Sequence, residues 1–258
     1  MKFFDSHCHI DDKSYNADRS EVIKRAKDSG VESFIVVGIN QRTSIKAIEI
    51  AESTSGVYAS VGIHPHDAKA CTENDLKFLY SLAKKPCVKA WGEAGLDFNR
   101  MFSSQGEQEQ WFIRQIELAG SLNLPMIFHE RDSKGRFGEI INLHYKNSKS
   151  SVVHCFGGDK KELSQYLDKG FYIGITGIVT LKDRGKELRS LINYIPNDKI
   201  LIETDAPYLT PYPEKKTNRR NEPAFVKSVL FELAKIKNIS PDALAEKIWG
   251  NTCRLFEL

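Results

Sequence analysis

Near the start of the chain, Phe3-Phe4-Asp5-Ser6-His7-Cys8-His9 runs two apolar residues into two histidines spaced i, i+2. On a β-strand, side chains alternate faces, so His7 and His9 point the same way. Two imidazoles on one face form one jaw of a metal site. Alone, the pair also fits polar surface or a hydrogen-bonded core pair. The other jaw lies far along the chain. Glu93, His129 and His154 each fall late in a short apolar run, and Asp205 lies just past another. Four imidazoles and two carboxylates suit one or two divalent ions.

Charge then suggests a substrate. Two divalent ions against Glu93 and Asp205 leave about +2, which favours an anionic substrate and a pentacoordinate phosphoryl transition state. A metal lowers the pKa of its bound water toward ~7, making a nucleophile near neutrality. Glu93 is placed to bridge two ions. Asp205 can hold a metal and also take a proton from the attacking water, so Asp205, Glu93 and His64 are the catalytic candidates. His64, in Gly62-Ile63-His64-Pro65-His66, is positioned to hold phosphate or leaving group, and His66 reads as an ordinary loop histidine. Arg131 offers a planar fork for phosphate. At Gly157 the backbone can approach a phosphate closely. Asp97 and Arg100 fall in the loop after Glu93. A late stretch interleaves Tyr208 and Tyr212 with Lys215, Lys216, Arg219 and Arg220 against the single acid Glu214. That mixture suits a single nucleic-acid strand through charge and stacking; the alternative is a solvated rim loop. Cys8 and Cys155 neighbour candidate ligands and so face away from them, as packing.

These groups need a scaffold. Apolar runs at Phe3–His7, Phe34–Gly38, Tyr58–Ile63, Val88–Glu93, Met126–His129, Val152–Cys155, Tyr172–Ile175 and Ile200–Glu203 are mostly continuous rather than alternating. Parallel strands buried on both faces read this way. Helical patterns separate them. Asp18-x-x-Glu21 resembles a capping box for a helix ending at Gly30, and Ser44 to Ser53 carries Ile45, Ile48 and Ile50. Thr72 and Ser104 cap two more helices, and further ones fit Gly135–Tyr145, Lys160–Lys169, Lys186–Tyr194, Pro223–Lys237 and Ser240 to Trp249. Eight strand–helix units predict a single (β/α)₈ TIM barrel spanning residues 1–258, with the metal site at the C-terminal strand ends. A doubly wound open sheet is the alternative, but no glycine-rich phosphate loop marks a switch point.

The bulk numbers agree. The 258 residues are 41% hydrophobic, and 37 basic against 34 acidic residues leave +3, too mild to signal nucleic acid by itself. Five scattered cysteines without a C-x-x-C pattern fit reduced thiols in a cytoplasmic protein. No signal-peptide pattern or membrane-length apolar run is expected, and no obligate protein partner.

The motifs His7-Cys8-His9, Gly62-Ile63-His64-Pro65-His66, Gly92-Glu93-Ala94-Gly95-Leu96-Asp97-Phe98, Phe128-His129 and His154-Cys155-Phe156-Gly157-Gly158 occur in that order. Gly174-Ile175-Thr176-Gly177, Leu201-Ile202-Glu203-Thr204-Asp205-Ala206-Pro207-Tyr208-Leu209 and Arg219-Arg220-Asn221-Glu222-Pro223 follow. In this set the sequence resembles the TatD family of metal-dependent deoxyribonucleases, within the amidohydrolase-like barrels. The resemblance implies magnesium-dependent cleavage of DNA phosphodiesters, as a 3′ to 5′ exonuclease preferring single strands; the residues leave RNA open as a partner beside DNA. It also implies links to DNA repair and to DNA fragmentation in cell death. It places metal ligands at His7, His9, Glu93, His129, His154 and Asp205. Some relatives lack the first histidine pair, which this chain retains. Glu130 stands where many have Cys or Ser, and there it would ligate a metal or repel phosphate according to its orientation. Magnesium prefers oxygen ligands, whereas four imidazoles suit zinc or manganese.

Two rival readings share these residues. One is a small-molecule amidohydrolase or phosphoesterase on the same barrel. Against it stand the basic late loop and Glu93 in the place where many dinuclear relatives carry a lysine. The other is a metal- or nucleic-acid-binding protein without catalysis, for which a missing ligand would be expected.

Overall fold

The computed structural model describes residues 1–146 and 149–258. Eight strands form one sheet in sequence order. They are β1 (Phe3–Cys8), β2 (Val31–Val37), β3 (Val57–Val61), β4 (Val88–Asp97), β5 (Met126–Arg131), β6 (Val152–Val153), β7 (Tyr172–Ile175) and β8 (Ile200–Ile202). Every neighbouring pair is parallel. The β1–β8 seam closes near the C-terminal strand ends. The Asp205 amide donates to the His7 carbonyl at 2.9 Å, and the His9 amide to the Ala206 carbonyl at 2.7 Å. Buried Asp5 adds a side-chain clasp, accepting from the Thr204 amide at 2.9 Å and the Thr204 hydroxyl at 2.5 Å. The expected (β/α)₈ barrel is the observed fold.

Nine α-helices are described around it: α1 (Arg19–Asp28), α2 (Gln41–Ser53), α3 (Glu73–Leu82), α4 (Gln105–Leu122), α5 (Arg136–His144), α6 (Lys160–Asp168), α7 (Lys186–Leu191), α8 (Val226–Lys237) and α9 (Pro241–Phe256). Thr72 and Ser104 cap α3 and α4 with reciprocal side-chain bonds, as their sequences predict. Asp18 does not cap α1; its carboxylate is taken by Arg220 and Arg25 instead. Helix α2 starts at Gln41 rather than Ser44, because Asn40 caps it, and Ile45 faces solvent. Helix α7 gives way to a 3-10 turn at Ile192–Tyr194, and α9 continues past Trp249 to Phe256.

The core has two layers. Phe4, Ile35, Val37, Ala90, Ile127, Val152, Tyr172 and Leu201 form an interior cluster that draws on seven of the eight strands, with Tyr58 of β3 packed against it. Leu255 and Phe256 of α9 join that cluster. A larger cluster lies between barrel and helices. Because the interior is filled with side chains, chemistry is confined to the mouth.

Two irregularities aim the chemistry. In β1, Asp5 pairs with Phe34 and Cys8 with Val36, so three steps oppose two. In β4, Trp91 pairs with Met126 and Ala94 with Phe128, again three against two. Such bulges turn a side chain to the other face. Cys8, Trp91 and Ala94 belong to the outer cluster, while His7 and Glu93, at the slips, point inward toward each other. Gly92 and Gly95 make the second slip possible. Both have positive φ (143° and 156°). A Cβ on Gly95 would lie 1.9 Å from the His129 carbonyl oxygen.

Candidate metal centre and active site

The predicted residues meet around Glu93, a buried carboxylate. One oxygen, Oε2, lies 3.4 Å from His7 Nε2 and 3.7 Å from His9 Nε2. The other, Oε1, lies 2.5 Å from His129 Nδ1, 3.6 Å from His154 Nε2 and 3.4 Å from His64 Nε2. Asp205 Oδ1 lies 3.5 Å from His9 Nε2 and 3.8 Å from His7 Nε2. The residue after β8 turns left-handed, with Asp205 at φ 55°, a conformation Asp tolerates better than most residues. The strand boundaries differ from those predicted. Glu93 and His129 lie inside strands that continue to Asp97 and Arg131, and His9 and His154 fall just beyond theirs.

The donor set fits divalent ions. Three groups have potential ligand atoms within 4.8 Å of one another: His7, His9 and Glu93; His7, His154 and Asp205; His64, Glu93 and His129. His9 Nδ1 lies 3.0 Å from the Val37 carbonyl. A carbonyl only accepts, so this nitrogen carries a proton, and in the neutral ring Nε2 is the nitrogen left to bind a cation. His7 Nε2 faces His9 Nε2 at 3.2 Å, where at most one proton fits between them. Proximity alone would admit His64 as a ligand, but its Nδ1 accepts the His66 amide at 3.0 Å. Neutral His64 therefore carries its proton on Nε2 and is a donor aimed into the site.

Protonation follows burial and charge. Burial lowers His7, with His154 assisting. Burial also pushes His64 down to about 4, keeping it neutral. Burial opposes charge on His9 and His129, yet Asp205 for the first, and Asp97 and Glu93 for the second, raise both to about 9. Burial disfavours the charged forms of Glu93 and Asp205, but the surrounding imidazoles hold both below the usual carboxylate range.

Three supporting acids, named in the sequence but given no role there, hold the site. Asp97 is not in a loop; it ends β4, buried, with Oδ2 2.7 Å from His66 Nε2 and 3.4 Å from His129 Nε2. The longer contact is electrostatic, since His129 Nε2 has no hydrogen-bond partner. His66, read as an ordinary loop residue, is thus tied to the site. Glu203 lies 2.9 Å from His154 Nδ1, out of line for a hydrogen bond, and accepts the Cys155 amide at 2.6 Å. Asp5 holds the seam beneath His7. The usable signal was an acid within or directly after a strand, next to candidate ligands in the sequence.

The expected substrate contacts divide. Arg131 and Gly157 are exposed at the ends of β5 and beyond β6, and Arg219 is exposed in the loop after β8. Arg220 departs from expectation. Its guanidinium binds Asp18 at 2.8 and 2.6 Å, Glu222 at 3.2 Å and the Ser14 carbonyl at 2.7 Å, and lies 4.5 Å above the Tyr15 ring. Both of its terminal nitrogens are spent on the fold. Glu130 turns to the Ser133 amide and hydroxyl at 3.1 and 2.7 Å. Cys8 Sγ faces the Ile35 carbonyl, away from the site, and all five cysteines are free. Among the described residues no helix is long and apolar enough to cross a membrane.

Comparison with known proteins then gives the lineage. The family described as TatD related DNase matches residues 4–257. The 3′-5′ ssDNA/RNA exonuclease TatD of Cronobacter turicensis is 39% identical over 255 residues, covering 98% of this chain and 97% of that protein. The protein of the same description from Salmonella typhimurium is 37% identical over 257 residues, covering 99% of each. Among solved structures, YJJV, a TatD homolog from Escherichia coli k12, superposes with a TM-score of 0.92 at 27% identity, covering 99% of this chain and 98% of that one. The chain belongs to the TatD related DNase family.

Proposed function

We propose that this protein is a metal-dependent nuclease that hydrolyses phosphodiesters of single-stranded DNA, and of RNA as a second class, acting as a 3′ to 5′ exonuclease in the cytoplasm. The observation that carries the reading is the convergence of Glu93, Asp205 and four histidines at the mouth of a barrel from this family. The names of the full-length relatives support the nuclease class and its strand preference.

His7, His9, Glu93, His129, His154 and Asp205 would hold one or two divalent cations, with Glu93 shared. A bound cation supplies charge stabilisation for the phosphoryl group and acidifies water. Magnesium is the activator implied by the family, and the imidazole-rich set binds zinc or manganese more tightly.

The chain's own groups do the rest. Asp205 takes the proton of the attacking water, and the imidazoles around it keep it ionised. His64 donates from Nε2 to a phosphoryl oxygen or leaving group, staying neutral through burial. Arg131, the backbone at Gly157 and Arg219 grip phosphates along the strand, and Tyr208 and Tyr212 offer faces to bases.

The test is nucleotide release from a single-stranded oligonucleotide across a metal series, set against ester and lactone panels. Metal-dependent release, abolished by chelation and strongly reduced in Asp205→Asn with metal still bound, is expected. Turnover of esters or lactones without strand cleavage would favour the small-molecule hydrolase. Strand binding without cleavage would favour a binding protein.

A further inference from the structure

We propose that Phe102, on the loop between β4 and α4, is a stacking platform for an unpaired nucleobase beside the metal centre; this rests on the nuclease reading above. Phe102 is 54% exposed and its neighbour Met101 43%. Two large apolar side chains thus stand in water at the mouth of a polar site, where covering them is favourable.

The loop is held in place on both sides of the pair. Asp97 Oδ1 accepts the amides of Asn99 and Arg100 at 3.0 and 2.8 Å. Asn99 donates to Asp132 at 2.7 Å. Beyond the pair, the Ser103 hydroxyl donates to the His66 carbonyl at 3.1 Å and accepts the Lys69 amide at 3.0 Å. Gln108 donates to the Ser103 carbonyl at 2.9 Å. The chain between these anchors turns left-handed at Met101, φ 51°. A prepaid, rigid presentation of an aromatic ring is what a ligand platform needs.

Position supplies the ligand class. Phe102 meets His66 edge to face, with centroids 4.8 Å apart and planes at 86°. His66 bonds Asp97, which faces His129. Near another part of the centre, Tyr208, 56% exposed, stands edge-on to His9 at 6.2 Å. The candidate centre thus has one exposed ring near His129 and another near His9. A strand whose phosphate enters the centre would carry bases toward such rings. Phenylalanine has no polar handle, so it offers every base a face and reads no sequence. The residues flanking Met101 and Phe102 in the chain (Asn99, Arg100, Ser104, Gln105) are polar, so the loop itself presents only these two large apolar side chains.

The experiment compares wild type, Phe102→Ala and Phe102→Trp on a single-stranded oligonucleotide and on the same strand with abasic residues at its terminal positions. Phe102→Ala should raise KM on the base-bearing strand roughly five- to hundred-fold. It should leave the abasic strand and metal affinity unchanged, and Phe102→Trp should restore KM. A 2-aminopurine strand should be quenched on binding to wild type and not to Phe102→Ala. Equal losses on both strands, an unchanged KM, or unaltered quenching in Phe102→Ala would overturn the platform. A wild type that binds and quenches without cutting would sink the nuclease reading and keep the platform. A wild type that cuts beside an indifferent Phe102→Ala would do the reverse.

Discussion

Asp97→Asn replaces one oxygen with an NH₂ and keeps the size. In the native chain Asp97 Oδ1 accepts two backbone amides, which Asn can still do. Its Oδ2 faces two ring nitrogens, His66 Nε2 at 2.7 Å and His129 Nε2 at 3.4 Å. Native Asp97 therefore favours protons on both nitrogens, by a hydrogen bond at His66 and by charge at His129, so that when a cation displaces the Nδ1 proton held by Glu93 the ring keeps its other proton on Nε2. The Asn amide carries no charge and points a donor at His129 Nε2, so the electrostatic preference for a proton there is lost. Neutral His129 then carries its proton on Nδ1, against Glu93 Oε1, where a metal ligand is needed. Outer partners of ligating histidines are worth about 10–100-fold in metal affinity, or ~1.4–2.7 kcal/mol. That range matches one lost bond to a charged group, about 1.5–3 kcal/mol. Competition of zinc or manganese against a chelating dye should show this loss, with secondary structure intact by circular dichroism. Wild-type affinity in Asp97→Asn would refute the tautomer reasoning, whatever happened to thermal stability.

Other expectations concern the rim and pH. Arg219→Ala should weaken single-strand binding and lower the salt slope by about one, as for one lost phosphate contact. Arg220→Ala should instead cost about 1–2 kcal/mol of stability through its lost bonds to Asp18 and Glu222, with the salt slope unchanged; denaturant melts and binding titrations separate the two. In metal-free protein, His9 and His129 hold protons up to about pH 9. Ligation needs them neutral, so metal binding at pH 7.5 should release protons, and apparent affinity should rise with pH toward 9. Calorimetry in two buffers of different ionisation enthalpy reads this directly. The stability sign is opposite: raised histidine pKa values stabilise the metal-free fold fully below pH ~6.5, a contribution lost as pH rises through about 9. Chelated protein should therefore melt lower at pH 9.5 than at pH 6.5 on this term.

The barrel was legible because strands buried on both faces read as unbroken apolar runs, and each was followed by a helical period. The six candidate ligands were legible because each stands at or near the end of such a run. What carried them into one site was not legible. Strict alternation gives no hint of the slips at His7 and Glu93; only Gly92 and Gly95 foreshadow the second, through close approach of β4 to β5. The partnership of His66 with Asp97 spans 31 positions and two elements, so no local pattern shows it. Arg220 illustrates the reverse. A basic residue in a basic, aromatic loop reads as a phosphate contact, until folding brings Asp18 against it from the other end of the chain.

Everything turns on Glu93 as the shared carboxylate of a metal-loaded nuclease site. The most direct measurement is metal content and single-strand hydrolysis of Glu93→Ala beside wild type, each purified and assayed with the same metal. Glu93→Ala should be a folded protein that has lost bound metal and at least ~100-fold in turnover. Full metal content with wild-type strand cleavage in Glu93→Ala would contradict that role.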